Sequence, residues 1–270
     1  MKGTLLRMTV SVLTVGTLVT SPLMTSAAAL AGEGNGGLVS HAAGHATHQD
    51  VSSSNRLAVE AKKPNSINIT KHTIEKTIPE AKIKVEYPQV SGLKNRAAEK
   101  IINTLLKTKA ETFVANSIKE AKASQPSPSG NPYEYLGTYK VTYNENGVLS
   151  LLLETYAYTG GAHGITIREG LTFRLSDGKV LTLDELLRAN PNYRSIVDPE
   201  IAKKLEETEG YFGNFKTIGP NPSYYVKDQG VVIFFQLYDY LPYVFGFPEF
   251  YFPFAKLLPP GADPFDFKSM

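Results

Sequence analysis

Tyr156-Ala157-Tyr158-Thr159-Gly160-Gly161-Ala162-His163-Gly164 is the stretch that decides the fold. It joins two alternating apolar segments, Val148–Tyr158 and Ile165–Leu175, whose period of two is that of strands. The glycines admit backbone angles that other residues resist, so the turn can hold one shape and expose its N–H groups. The turn also carries the only histidine after residue 72. Upstream, Asn146-Gly147 is a strong hairpin signal. It ties Val148–Tyr158 to a preceding strand with Tyr133, Tyr135, Tyr139, Val141 and Tyr143 on one face. Asp177-Gly178 makes a further tight turn after the second segment. Together they predict a three-stranded antiparallel meander with the glycine-rich turn at one end.

Outward from the meander the periodicities change. Ile67–Tyr87 has strand patterning, clearest at Lys82–Tyr87, and Pro88 and Ser91-Gly92 end it. From Leu93 to Ala121 apolar residues recur every three or four positions: Leu93, Ala97, Ile101, Leu105, Leu106, Phe113, Val114 and Ile118. This predicts one long amphipathic helix burying that stripe. Ser124–Pro132 is a loop. Thr182 with Glu185 has capping-box spacing and opens a helix over Leu183–Ala189, and a second covers Tyr193–Thr208. Tyr224–Val226 and Val231–Leu237 are strands, the latter apolar enough to be central and buried on both faces. Proline-bearing Phe247–Phe254 suits an edge strand. The expected fold class is α+β: mixed, mainly antiparallel sheets with one long N-terminal amphipathic helix and two shorter helices packed on them.

Lys2 and Arg7, the apolar run Met8–Val19 and Ser26-Ala27-Ala28-Ala29-Leu30-Ala31 follow the order of a secretory signal peptide. Residues 1–31 are therefore expected to be the signal and 32–64, rich in Gly, Ser, Ala, His and Asn, a flexible tether. An uncleaved N-terminal anchor is the rival. The ordered part is divided into subdomains at 65–160 and 161–270. The chain has 270 residues and no cysteine, which excludes thiol catalysis, disulfides and cysteine-based zinc sites. Without Lys2 and Arg7, the charge balances at 26 basic and 26 acidic residues. Nothing in this balance favours nucleic acid. There is no tryptophan, but 15 tyrosines could supply aromatic platforms. The expected location is extracellular or at the cell wall.

His163 is the leading site residue, with Tyr158, Thr159, Gly160 and Gly161 beside it. An imidazole on a rigid turn can contact a ligand or handle a proton. Equally it can bond a nearby carbonyl and hold the turn in register. The glycine N–H groups could form a small anion nest. The segment Asp239–Phe247 is an aromatic, proline-stiffened loop, and Tyr240, Pro242 and Tyr243 are its candidate contact residues. Its rings could instead pack over the sheet end. His41, His45 and His48 have ligand-like spacing, but Gly44 and the tether composition argue against a metal site. Glu154 either lines a groove or faces water. No G-x-S-x-G, H-E-x-x-H or S-x-x-K motif occurs. No cofactor, metal or catalytic set is expected. The competing reading is a cell-wall hydrolase or deacetylase-associated enzyme pairing His163 with a nearby carboxylate.

Several segments in order carry a family resemblance. They are Tyr158-Thr159-Gly160-Gly161-Ala162-His163-Gly164, then Phe173 with Asp177-Gly178-Lys179, and Leu181-Thr182-Leu183-Asp184-Glu185-Leu186-Leu187. Val231–Tyr238 follows, with Leu241-Pro242-Tyr243 and Gly246. Together they resemble the extracellular domain of RsiV-type anti-sigma factors, shared with the N-terminal region of PdaC-type peptidoglycan deacetylases. The resemblance covers about residues 67 to 258 and implies a mixed α/β module of two linked parts at the bacterial cell envelope. In the anti-sigma members this module binds lysozyme. It therefore implies a secreted binding module for a lysozyme-like protein or peptidoglycan fragments, here without a sigma-binding segment, a transmembrane helix or a deacetylase domain.

Overall fold

The computed structural model describes residues 66–124 and 130–267. The expected signal peptide, the tether and the His41–His45–His48 triplet lie outside the described residues. Strands β1 (Asn68–Ile78) and β2 (Ala81–Ser91) form an antiparallel hairpin. Helix α1 (Arg96–Ala123) follows, then β3 (Tyr133–Glu145), β4 (Val148–Tyr158) and β5 (Ile165–Arg174). These strands form one sheet in the order β1-β2-β3-β4-β5. Asn146-Gly147 turns β3 into β4 with both residues at positive φ, as a tight two-residue hairpin requires. The glycine-rich turn connects β4 to β5, so the sheet continues across residue 160.

Pairing of β2 with β3 is parallel. A parallel neighbour needs a long crossover, and α1 supplies it. The 28-residue helix therefore lies between two strands and not at the N-terminal end of the fold. Asn95 caps it, its side-chain oxygen accepting from the N–H groups of Ala97 and Ala98. Its buried row is Ala98, Ile102, Leu106, Ala110, Val114, Ser117 and Ala121. Leu93, Leu106 and Val114 of the expected stripe are buried, but Ala97 and Ile101 are exposed, Ile101 by 52%, and Ala98 and Ile102 take their places. Alanines at 98 and 110 let the backbone lie close to the sheet, whereas a reading weighted by side-chain bulk selects Ile101.

The N-terminal half of α1 packs with Val90, Leu149, Leu151, Leu171 and Phe173. Its C-terminal half packs with Ala81, Ile83, Val85, Tyr133 and Tyr135, so the helix crosses the sheet obliquely. On the other face of the sheet, Leu152 meets a second sheet through Tyr225, Val232 and Phe234. That sheet contains β6 (Tyr224–Lys227), β7 (Gly230–Phe234) and β8 (Glu249–Pro253), ordered β6-β7-β8 and antiparallel. All of β7 is buried, as a central strand should be, but it stops at Phe234 and not at Leu237.

Helix α2 (Leu183–Leu186) opens on Thr182 with both capping-box hydrogen bonds to Glu185 formed. Helix α3 (Arg194–Glu206) places Val197, Ile201 and Leu205 against Val226, Val231, Ile233 and Phe252. A short α4 (Phe254–Leu257) ends the fold, so the described residues hold four helices where three were expected. The order of layers is α1, five-stranded sheet, three-stranded sheet, α3. No helix of the described residues is long and apolar enough to cross a membrane.

Candidate functional site

Gly160 and Gly161 open the β4–β5 turn at φ 91° and 105°, angles that L side chains resist. Tyr158 closes it, its hydroxyl donating to the carbonyl of Gly161 at 3.0 Å. A Cβ on Gly164 would stand 2.3 Å from the Tyr156 ring, so only glycine fits beneath that ring. The turn is thus built to hold its shape, and His163 projects from it, exposed. His163 Nδ1 lies 3.0 Å from the carbonyl oxygen of Gly164, its own neighbour. A carbonyl only accepts, so Nδ1 carries a proton. In the neutral ring Nε2 then accepts from the Tyr238 hydroxyl, 3.3 Å away.

The ring face of His163 stacks on Tyr243 with centroids 4.0 Å apart and planes 13° from parallel. Tyr238 and Tyr243 are themselves 5.8 Å apart. The structure therefore brings together the turn at 158–164 and the loop between β7 and β8. That loop divides in two. Tyr240 turns inward, edge-on to Phe235 at 4.7 Å and Phe215 at 5.4 Å, and Leu241 beside it is buried. Pro242 leads into a 3₁₀ turn, Tyr243–Phe245, which Gly246 ends at φ 68°. Beyond Tyr243 the side chains point outward: Val244 is 83% exposed and Phe245 46%. Phe212 joins them, its N–H donating to the Tyr240 carbonyl and its side chain half exposed. Among the candidate residues, then, His163 and Tyr243 meet, Tyr158 and the glycines hold the turn, Thr159 is exposed, and Tyr240 is a loop anchor.

Tyr238, Phe212 and Val244 were not singled out from sequence. Tyr238 has φ 68°, a left-handed conformation that costs a bulky residue about 1 kcal/mol. An Asp239 carboxylate accepting from the Gln236 N–H at 2.8 Å holds this bend. Gln236 also uses its side-chain amide like a short strand. It accepts from Arg168 N–H at 3.0 Å and donates to the Arg168 carbonyl at 2.7 Å, fastening the loop to the edge of β5. No histidine, glycine or proline marks Gln236 or Tyr238, so no local signal announces them.

Arg168 is the second hub. Its guanidinium bonds Glu154 Oε1 through Nε at 2.7 Å and Nη2 at 2.6 Å. It also bonds Glu249 and lies 4.0 Å over the Phe247 ring. Tyr225 donates to the other oxygen of Glu249 at 3.2 Å, and burial pushes its hydroxyl up to about 12. Glu154, whose parity allows a groove or solvent position, is thus the cross-strand ion-pair partner of Arg168 within the five-stranded sheet, while Glu249 carries the link to the second sheet. Among the described residues, no carboxylate is hydrogen-bonded to His163, and no three His, Asp or Glu side chains converge as metal ligands would.

Residues 74–166 match the family model described as Deacetylase PdaC, and residues 184–255 match that of a protein family of unknown function, DUF3298. His163 belongs to the first segment and Tyr238 and Tyr243 to the second, so the stack forms where the two meet. The crystal structure of a DUF3298 family member from Bacteroides fragilis NCTC 9343 is similar in fold. Its TM-score is 0.51 at 16% identity, over 71% of this chain and 92% of that one. A DUF3298 family protein from Pseudomonas aeruginosa PAO1 matches with a TM-score of 0.47 at 15% identity, over the same shares. Comparison with curated proteins returned no match. Two family models thus match successive segments of this chain, PdaC and then DUF3298, which supports a domain of the PdaC/DUF3298 type.

Proposed function

We propose that the protein is an extracellular, non-enzymatic binding module, and that the His163 turn and the Tyr238–Phe247 loop form its contact surface. The ligand is a protein of the lysozyme type, or failing that a peptidoglycan fragment. One observation carries the reading: the His163–Tyr243 stack joins two segments from distant parts of the chain, and exposed Val244 and Phe245 follow Tyr243 in the same turn, with exposed Phe212 bonded to the loop at Tyr240. Stiff aromatic anchors beside exposed apolar side chains suit a protein interface. The strained Tyr238 supports it further, since left-handed backbone at a bulky residue persists where geometry is needed. The resemblance to the lysozyme-binding ectodomains of RsiV-type proteins supplies the ligand class. The hydrolase alternative needs a carboxylate at His163, whose hydrogen bonds instead go to Gly164 and Tyr238.

Calorimetric titration with a chicken-type lysozyme, and separately with soluble muropeptides, tests the proposal. Binding should weaken at least about tenfold in Tyr243→Ala and Val244→Glu. Melting of the Val244→Glu variant should stay unchanged, because that side chain is solvent-facing. Absence of heat with both ligands removes the reading.

A further inference from the structure

A cleft of about 440 Å³ lies between the two sheets, on the face of β3 and β4 opposite α1, and its lining includes neither His163 nor Tyr243. We propose that this inter-sheet cleft binds a neutral saccharide, with Glu154, Arg168 and Glu249 as its polar floor. The volume is in the range of small-ligand sites. The charges lining it balance: Glu154, Glu249 and Asp228 against Arg168, Lys140 and Lys227. A ligand with net charge would leave one sign in excess, so the cleft favours a neutral, polar one.

Its hydrogen-bonding groups are of two unlike kinds. Carboxylates only accept, and ammonium and guanidinium groups only donate. A ligand hydroxyl does both, so a polyol can bridge neighbouring groups that a phosphate dianion, which only accepts, cannot satisfy together. Open valences are present for it. Both Arg168 bonds to Glu154 fall on Oε1, which leaves Oε2 to accept. Thr138, Lys140 and Lys227 make no side-chain hydrogen bond among the described residues, and all are exposed.

The floor is also fixed in advance. Arg168 is held by two carboxylates and the Phe247 ring, and its own backbone is gripped by Gln236. Tyr225 fixes the second oxygen of Glu249. A ligand then has little side-chain ordering to impose, which is what raises affinity for a small solute.

Titration of the isotope-labelled protein with maltotriose, cellotriose and N-acetylated chitotriose, followed by amide shifts, tests this. Trigalacturonate serves as the charged control. The expected result is a saturable shift at Thr138, Lys140 and Lys227 with at least one neutral trisaccharide, and none with trigalacturonate. Thr138→Tyr fills the cleft from an exposed strand position directly across from Glu154, and should weaken binding at least about tenfold. Glu154→Gln should weaken it as well, while Tyr243→Ala should leave it unchanged. The proposal is overturned by no saturable shift up to about 10 mM, a dissociation constant too weak to be specific. It is equally overturned by equal binding of trigalacturonate, by shifts centred on 158–164 and 238–247, or by undiminished binding in Thr138→Tyr.

Discussion

At Ser150 the two sheets meet without charge; at Arg168, on the next strand, they meet through it. Ser150 and Thr172 are fully buried, their hydroxyls 2.9 Å apart. The Ser150 oxygen accepts from the N–H of Val226 on β6 at 2.9 Å, so one hydroxyl closes the edge of the second sheet. The residues here are small because the backbones are close. Around Arg168 the sheets have parted enough to admit a guanidinium, two carboxylates and a cleft. One hairpin, β4–β5, runs from the closed joint to the open one and then to the His163 turn. Its sealed end fixes the register of two sheets, which leaves its open end free to carry polar and exposed side chains.

Gly170 stands between the joints and is where the comparison breaks most readily. A Cβ built there lies 1.9 Å from the Tyr224 carbonyl oxygen, a contact with backbone that no rotamer relieves. Gly170→Ala should therefore push the sheets apart and lose at least about 3 kcal/mol in urea unfolding. A change under about 1 kcal/mol would mean that the sheets slide freely and that the sealed joint does not set their spacing. Ser150→Ala comes next. It leaves the Val226 N–H buried without its acceptor, and about 1–3 kcal/mol should go. Ser150→Thr keeps the acceptor but adds a methyl group in a fully buried position, so both variants should fall below the wild type.

The open joint should yield less. Arg168→Met leaves Glu154 and Glu249 facing each other, but their side chains are 34% and 39% exposed, so water screens them. A loss of about 1–2 kcal/mol is expected, less than for a fully buried pair. In a double-mutant cycle with Glu249→Gln the two losses should be less than additive, because the second change removes the stranded charge. Additive losses would show that Arg168 acts through its packing on Phe247 and not through its charge.

The two joints also differ in how far the sequence discloses them. The meander was legible because parity and Asn146-Gly147 are local signals, and a buried β7 because five apolar residues in a row leave little choice. The parallel β2–β3 pairing was not, since nothing in either strand names a partner 52 residues away across a helix. Amide side chains that grip strand backbones were silent too. Gln236 on Arg168 and Asn103 on Val90 each use both N–H and C=O of a strand residue, and Asn144 does the same on Ile67 just ahead of β1. A polar residue in such a role looks in sequence like any solvated one. For the site, the glycine turn and the proline loop announced two segments, because backbone constraints leave residue-type traces. Their meeting at His163 and Tyr243 left none, as it depends on where Gln236 and the bend at Tyr238 aim the loop.

The smallest expected effect tests a charged contact that belongs to neither joint. Asp184 accepts from Arg194 and from the buried Tyr193 hydroxyl, each at 2.7 Å, where the chain enters α3. The Arg194 hydrogen bond, aided by that of Tyr193, holds its carboxyl below the ordinary aspartate range. The unfolded chain therefore takes up this proton at a higher pH than the folded one. Asp184 contributes stability above the unfolded value of about 4, and the contribution fades as pH falls through the depressed folded value. More than half of this side chain is exposed, so the contribution is a few tenths of a kcal/mol, typical of a solvated pair. Asp184→Asn should lower stability slightly at pH 7 and not at all near pH 2, making the acid limb of the unfolding curve shallower. Gly170→Ala and Ser150→Ala should shift the whole curve down without changing its slope there, because neither touches a titrating group. If Asp184→Asn also shifts the curve by the same amount at every pH, its role is to shape the start of α3, and charge is not what holds that contact.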